Sequence, residues 1–253
     1  MKKAVIFDID GKAINSPAQK SPTNRLIKAT HALKNDYYVC AASGRSKSFA
    51  RTVLSDLGLT DLCIIGAGTQ IVDPLTMEVV WQVTISESAV HDYVEIAKKF
   101  TYGLLWNDST EEEYLSGGRK LDTFIESESI YFLQFCFVPD DEVEALVTEI
   151  NAVDGLLPAT VPAQRPHTKD VHITNPVATK EYAITELITR LGIDHADTIG
   201  IGDGRNDLHL FAGVHTKIAM GSVVDELKAA AHRIIDTVQN DGLAHYFEEL
   251  AVK

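Results

Sequence analysis

The chain is short of positive charge, of cysteine and of long apolar runs, and each shortage excludes something. Its 23 lysines and arginines face 36 aspartates and glutamates, giving a formal net charge of −13. A balance of that sign argues against non-specific binding to nucleic acid or to an anionic membrane, both of which want a basic face. It leaves a phosphate ligand open, because a few local cations and backbone N–H groups are enough to bind one. Cys40, Cys63 and Cys136 are an odd and widely spaced set, two of them in apolar runs. They read as reduced core residues of a cytosolic protein, not as disulfide partners or a zinc site. No apolar run approaches the roughly 18–20 residues that span a bilayer. Lys2-Lys3 leads straight into a strand, which leaves no room for the apolar segment of a secretion signal. The expectation is a soluble cytoplasmic protein, and 253 residues allow one large domain or two modest ones.

What is present has two textures. Ala4–Ile9 is a continuous apolar run, the pattern of a strand buried on both faces of a parallel sheet. Ser21-Pro22 reads as a helix start, cap followed by first-turn proline, and Leu26, Thr30 and Leu33 line one helical face. A second buried strand, Tyr37–Ala42, ends at Ser43-Gly44-Arg45. Ser48–Leu57 reads as helix and Leu62–Ile65 as a third strand, with a hairpin over Ile71–Val83. This is βαβαβ, the signature of a doubly wound α/β fold. From about Thr84 the pattern becomes helix, strands, helix, strand, which predicts a separate α+β unit. After Asn175-Pro176 the first texture returns, with helix at Lys180–Leu191 and strand at Thr198–Ile201. The predicted organisation is therefore a core domain over 1–83 and 174–253, interrupted by an inserted domain over 84–173.

Asp8 and Asp10 close the first strand. Two carboxylates two residues apart at a strand end point the same way, so both are expected to reach one small volume. Such a pair serves either to bind a hard cation such as Mg²⁺ or to divide nucleophile and acid–base roles. A second acidic cluster, Asp203-Gly204-Arg205-Asn206-Asp207, follows the apolar strand Thr198–Gly202. Two strand-end acid clusters far apart in sequence point to one shared metal site in an α/β sheet. Blander readings exist for each segment. Asp-Gly is a common turn pair, Ser43-Gly44 suits a helix N-cap, and Lys180 alone reads as a solvated first-turn lysine. Gly200–Gly204 is too loose for a dinucleotide fingerprint, and Asp203–Asp207 fails the EF-hand spacing. Together, however, the segments stand in loops after parallel strands, where open α/β sheets place their sites.

Asp-Ile-Asp-Gly, Ala-Ser-Gly-Arg, Ala-Thr-Lys before a helix, and Gly-Asp-Gly-Arg-Asn-Asp resemble the four ordered motifs of the haloacid dehalogenase superfamily. The tail Ile218-Ala219-Met220-Gly221-Ser222 and the later Asn240-Asp241-Gly242 resemble its Cof-like branch, which carries a type IIB α/β cap between the second and third motifs. The resemblance implies a Rossmann-like parallel-sheet core with an inserted cap, and Mg²⁺-dependent phosphatase action on a small phosphorylated metabolite, most often a sugar phosphate. It implies Asp8 as nucleophile, Asp10 as acid and base, and Ser43 with its neighbouring N–H groups on the phosphoryl oxygens. Lys180 would neutralise charge. Asp8, the main-chain carbonyl of Asp10 and Asp203 would hold Mg²⁺, with Asn206 and Asp207 completing that shell. Gly44, Arg45 and His172 are candidate substrate contacts, and Arg119, Lys120, Arg165 and Lys169 weaker ones. A phosphomutase and a catalytically silenced phosphometabolite-binding protein are the alternatives; the chain is expected to act as monomer or homodimer.

One departure stands out. Lys12 follows Asp10-Gly11 where the family usually has threonine. It reads either as a loop change with its ammonium in solvent, or as a partner of Asp10 that weakens it as an acid. Gly66-Ala67-Gly68-Thr69 stands where Cof-like proteins often carry Asn-Gly, and Ser222 replaces a common asparagine.

Overall fold

The computed structural model describes residues 2–15, 21–107, 113–116 and 129–252. Arg119, Lys120 and the acidic pair Glu111-Glu112 lie outside the described residues. The chain divides into two compact units, Met1–Trp81 with Thr179–Lys253, and Gln82–Ala178.

The first unit begins with β1 (Lys3–Phe7), α1 (Asn24–Leu33), β2 (Tyr37–Ala41), α2 (Lys47–Asp56), β3 (Cys63–Ile65), β4 (Gln70–Val72) and β5 (Val79–Gln82). Helix α1 starts later than Ser21-Pro22 suggests. Thr23 is its N-cap, and the Thr23 hydroxyl accepts the Leu26 N–H at 3.1 Å, satisfying one of the free donors of the first turn. The proline lies before the cap, where it cannot interfere with helical hydrogen bonds.

The second unit contains α3 (Glu87–Ala97), β6 (Gly103–Asn107), β7 (Glu113–Ser116), β8 (Phe132–Pro139), α4 (Val143–Asn151), β9 (Leu157–Pro162) and β10 (Thr168–Thr174). Its strands form one sheet in the order β7-β6-β8-β10-β9, every described pairing antiparallel. Both helices bury one apolar face against it. Tyr93, Val94, Leu146 and Ile150 join Leu133, Phe135, Val171 and Ile173 in a single core. Alternate residues of β8 and β10 are buried, as expected for a sheet covered on one side.

The chain returns to the first unit with α5 (Lys180–Leu191), β11 (Thr198–Gly202), α6 (Leu208–Ala212), β12 (Thr216–Ala219), α7 (Asp225–Ala230), β13 (Arg233–Ile234) and α8 (Gly242–Ala251). Its main sheet is parallel throughout, in the order β13-β12-β11-β1-β2. Strand β1 shows why its sequence is apolar at every position. Val5 and Phe7 pack into the core containing Leu33, Leu243 and Phe247, while Ala4 and Ile6 face Ile184, Leu187 and Phe211 on the other side. Helix α8, absent from the sequence-based expectation, packs the Phe247 ring edge-on against Phe7 with centroids 5.6 Å apart. Strands β3, β4 and β5 form a separate small sheet, linked to β2 by a single parallel bridge between Ala42 and Ile64.

All three cysteines are free and buried. Burial pushes the Cys63 thiol up to about 12 and the Cys136 thiol up to about 11, and raises Cys40 well above the ordinary range. Since the thiolate is the reactive form, a disulfide reagent at pH 8 should label none of them in the folded protein and all three after denaturation. Rapid stoichiometric labelling of the native chain would contradict this packing.

Candidate active site

The carboxyl end of β1 and the carboxyl end of β11 lie side by side, because Phe7 pairs with Ile201 in register. The Asp8 N–H extends that pairing by donating to the Ile201 carbonyl at 3.2 Å. Asp8 and the segment beginning at Asp203 are thereby brought to one edge of the sheet from opposite ends of the sequence.

Beyond Asp8 the chain does not continue as a strand. The N–H groups of Lys12, Ala13 and Ile14 all converge on the Ile9 carbonyl, at 3.3, 2.9 and 3.2 Å. This tight wrap needs Gly11 at φ +80°, a conformation that side chains disfavour. Gly11 is also the seat of a neighbour, since a Cβ there would stand 2.1 Å from Oδ2 of Asp203. Ala13 and Ile14 sink into the main core and anchor the loop. The turn places Lys12 four residues after Asp8 and directs its side chain back over it.

Lys12 is consequently buried, its side chain 1% exposed. Its ammonium lies 2.5 Å from Asp8 Oδ2, 2.7 Å from Asp203 Oδ1 and 3.0 Å from Asp207 Oδ2. Neither expectation for Lys12 holds: the ammonium is not in solvent, and its partners are Asp8, Asp203 and Asp207, not Asp10. The loop geometry is the reason, because a wrap on the Ile9 carbonyl turns residue 12 inward. The apolar Ala13-Ile14 beside it was the available sequence signal, since solvated loops seldom bury two consecutive aliphatic residues.

Lys180 opens α5, whose N-cap Thr179 accepts the Tyr182 N–H. Its ammonium reaches Asp207 Oδ1 at 2.8 Å and Asp8 Oδ1 at 3.3 Å, and it too is buried. The tight turn at Gly66–Gly68 packs against this helix start, leaving no room for a side chain at Gly68, where a Cβ would meet the Thr179 carbonyl oxygen at 2.5 Å. Asp207 is the hub of the cluster. It bonds both lysines, and its Oδ2 also accepts the N–H groups of Asp203 at 2.9 Å and Gly204 at 3.3 Å. Burial disfavours its charged form, but Lys180 and Lys12 outweigh that and hold its carboxyl well below the usual range. For Lys12, burial works downward and is overcome by Asp8, Asp207 and Asp203, which hold the ammonium above its ordinary value. Asp203 moves the other way: burial raises it, and Lys12 offsets this only in part.

Asp10 belongs to a second set. Strand β1 ends at Phe7, so Asp10 sits on the curled loop, bridged to Ile14, yet it stays near Asp8, since both carboxylates act on the Arg45 guanidinium. There it meets the half-buried Arg45, whose Nε and Nη2 donate at 2.9 and 2.8 Å to its two oxygens. The bonded carboxylate in turn raises the Arg45 guanidinium further. Ser43 is fully buried at the end of β2, where its hydroxyl accepts the Arg45 N–H at 3.2 Å. Gly44 beside it is exposed and faces open space. Asn206 is exposed on the turn Arg205–Asp207, with its side chain folded over Gly204. His172 lies in the other unit, half-buried on β10 and edge-on to the Phe132 ring, with burial lowering its pKa. Arg165 stacks over Phe137 at 4.1 Å.

A sequence profile of the haloacid dehalogenase-like hydrolases matches residues 5–247, which includes both acid clusters, Ser43 and Lys180. The chain belongs to that family. YkrA of Bacillus subtilis is 26% identical across 99% of this chain and 98% of its own. YwtE of the same organism, named 5-amino-6-(5-phospho-D-ribitylamino)uracil phosphatase, is 25% identical across 98% of both chains. Among solved structures, BT4131, a sugar phosphatase of haloacid dehalogenase subclass IIB, superposes over the full length of both chains with a TM-score of 0.77 at 20% identity. This haloacid dehalogenase-like hydrolase is accordingly a phosphatase of the Cof-like branch, with the family's parallel-sheet core and inserted cap.

Phosphatases of this superfamily generally use Mg²⁺, and the donors expected for it here are Asp8, the Asp10 carbonyl, Asp203 and, around them, Asn206 and Asp207. The side chains as arranged do not fit that ion. Magnesium sits about 2.0–2.1 Å from each oxygen, and the Lys12 nitrogen already stands 2.5 and 2.7 Å from the same carboxylates of Asp8 and Asp203. Two cations cannot share that volume.

Proposed function

We propose that this phosphatase hydrolyses a small phosphomonoester, with a sugar phosphate as the first candidate, through a phosphate ester on Asp8. The observation that carries this reading is the setting of Asp8. Its carboxylate is 5% exposed at the carboxyl end of a central parallel strand, with Lys12 on Oδ2 and Lys180 beside Oδ1. A carboxylate so held is aimed and pre-oriented, which is what in-line displacement at phosphorus needs. The substrate class is supported by the sugar phosphatase of the same fold and by the phosphoribityl substrate in the name of YwtE.

The steps balance with groups of this chain. Asp8 Oδ1 attacks phosphorus, and the bond from phosphorus to the ester oxygen breaks. The leaving oxygen takes its proton from Asp10, one of whose oxygens must first turn away from Arg45. Water then attacks the phosphorus of the aspartyl ester and gives its proton to Asp10, and the bond to Asp8 breaks to release inorganic phosphate. Lys180 offsets the charge gathered between nucleophile and phosphoryl group. The exposed backbone at Gly44, open on one side, is where phosphoryl oxygens find N–H donors.

Phosphate release from an aryl phosphate and a panel of sugar phosphates tests the reading. Turnover of at least one sugar phosphate, without a bisphosphate activator, is the expected outcome. Failure to release phosphate from every member, in Mg²⁺ and in EDTA alike, would sink it. Dependence on a bisphosphate with little phosphate released would mark a phosphomutase instead.

A further inference from the structure

We propose that Lys12 is the resident cation of this site, its ammonium replacing the divalent ion, so that the chain gathers Asp8, Asp203 and Asp207 and presents its nucleophile without bound metal. The proposal rests on the reading of Asp8 as nucleophile for its catalytic consequence, but not for its statement about the cation.

The match between the group and its surroundings carries the argument. An ammonium has three N–H donors and no acceptor, and Lys12 meets three carboxylates, each within 3.0 Å. Two of these contacts, to Asp203 and Asp207, are hydrogen bonds and the third is an ion pair with Asp8, and the side chain is closed off from water. A lysine that merely occupied spare room would keep its head in solvent, because the stem is long enough to snorkel out. Here the backbone prevents that. The loop is wound onto the Ile9 carbonyl and pinned by Ala13 and Ile14 in the core. Gly11, which lets the loop close, also lets the Asp203 carboxylate approach to a distance that no side chain would tolerate.

The charge balance agrees. Three carboxylates face the ammonium groups of Lys12 and Lys180, which leaves one negative charge in the cluster. A divalent ion added beside both lysines would reverse that sign in a buried volume and would stand in van der Waals overlap with the Lys12 nitrogen. Entry of the metal therefore requires Lys12 to leave, and leaving breaks three buried ion pairs at once. Among the described residues, no group of three or more histidine, cysteine, aspartate or glutamate side chains is arranged to hold a metal.

A monovalent tethered cation has a chemical consequence. It holds Asp8 through Oδ2 and leaves Oδ1 as the attacking atom, but its ammonium is already committed to three carboxylates and buried among them. Charge on the transferring group then falls to Lys180 and to the backbone donors after Ser43. The chain should work as a phosphatase that is indifferent to chelators.

The test uses the full-length protein, purified through EDTA, and a Lys12→Thr variant. Manganese uptake is read from the loss of the free-ion electron paramagnetic resonance signal, and melting temperature is read with Mg²⁺ and with EDTA. The expected result is no specific Mn²⁺ uptake by the wild type and the same melting temperature in both buffers. The threonine variant should take up one Mn²⁺ per chain, at least about tenfold more tightly, and gain stability from Mg²⁺ by mass action. Stoichiometric Mn²⁺ binding by the wild type, lost in Asp203→Asn, would overturn the proposal even if the threonine variant did not fold. Phosphate release separates this inference from the function it rests on. Equal release in EDTA and Mg²⁺ supports both. Release by the wild type only with Mg²⁺ overturns the Lys12 inference and leaves the phosphatase standing. Release by the threonine variant with Mg²⁺, but by the wild type in neither buffer, supports the Lys12 inference and overturns the phosphatase reading of the natural chain.

Discussion

Asp8→Asn is expected to cut phosphate release by at least about a thousandfold, since loss of a covalent nucleophile removes the whole two-step path and not one increment of it. The amide keeps the size and shape of the carboxylate, so the side chain still fills its place at the end of β1. Its oxygen can still accept from Lys12, but the oxygen beside Lys180 becomes an NH₂ that faces a cation. The fold should survive this, because the Phe7–Ile201 pairing and the bonds of Asp207 to both lysines do not involve the substituted atoms. Circular dichroism with steady-state release separates the outcomes. A folded variant that keeps more than a few per cent of wild-type turnover would remove Asp8 from the nucleophile role. Loss of activity together with loss of folding would leave Asp8 a structural residue.

The second large effect concerns stability. Lys12→Met keeps the unbranched stem and removes the ammonium, leaving Asp8, Asp203 and Asp207 converging on a volume with no charge in it. Lys180 still bonds Asp207 and approaches Asp8, but it does not reach Asp203 among the described contacts. Removing one partner of a buried ion pair costs about 3–5 kcal/mol. For a chain of this size that corresponds to a fall in melting temperature on the order of ten degrees. The penalty should be read in EDTA, where nothing can replace the lost charge. A methionine variant that melts within a degree or two of the wild type would show that the three carboxylates do not depend on Lys12. The comparison with Lys12→Thr is informative, because threonine opens space for a hydrated ion whereas methionine keeps it filled.

These two substitutions act on the same few atoms and yet test different links. One asks whether the Asp8 oxygen reacts; the other asks what holds that oxygen in place. A catalytic defect without instability in the first, and instability in the second, is the pattern expected if Lys12 positions Asp8.

Local sequence determined a good deal of this protein. The unbroken apolar run of β1 announced a strand covered on both faces, and the acids at its end announced the edge of a parallel sheet. The recurrence of that pattern at Thr198–Gly202, with the change of texture between, was enough to read an α/β core and an inserted α+β unit. Periodicity and capping are short-range properties, so they survive in the sequence of each element. Register is different. That Phe7 stands beside Ile201, bringing Asp203 and Asp207 to Asp8, is a long-range pairing which the sequence suggested only through the likeness of two strand ends.

What tertiary structure alone decided is the fate of the charged side chains. Spacing along a strand predicted that Asp8 and Asp10 lie near one another, but it could not show that the wrap on the Ile9 carbonyl pairs Asp10 with Arg45 and sends Lys12 into the carboxylate cluster. Helix α8 carries a signal of its own, with Leu243, Tyr246, Phe247 and Leu250 at helical spacing, but its packing partner Phe7 is set only by the tertiary fold. A lysine prefers to keep its charged head in water and is buried only where carboxylates pair it. For Lys12 one of those carboxylates, Asp8, is local, but the other two, Asp203 and Asp207, come from almost two hundred residues away, and only the tertiary fold assembles them.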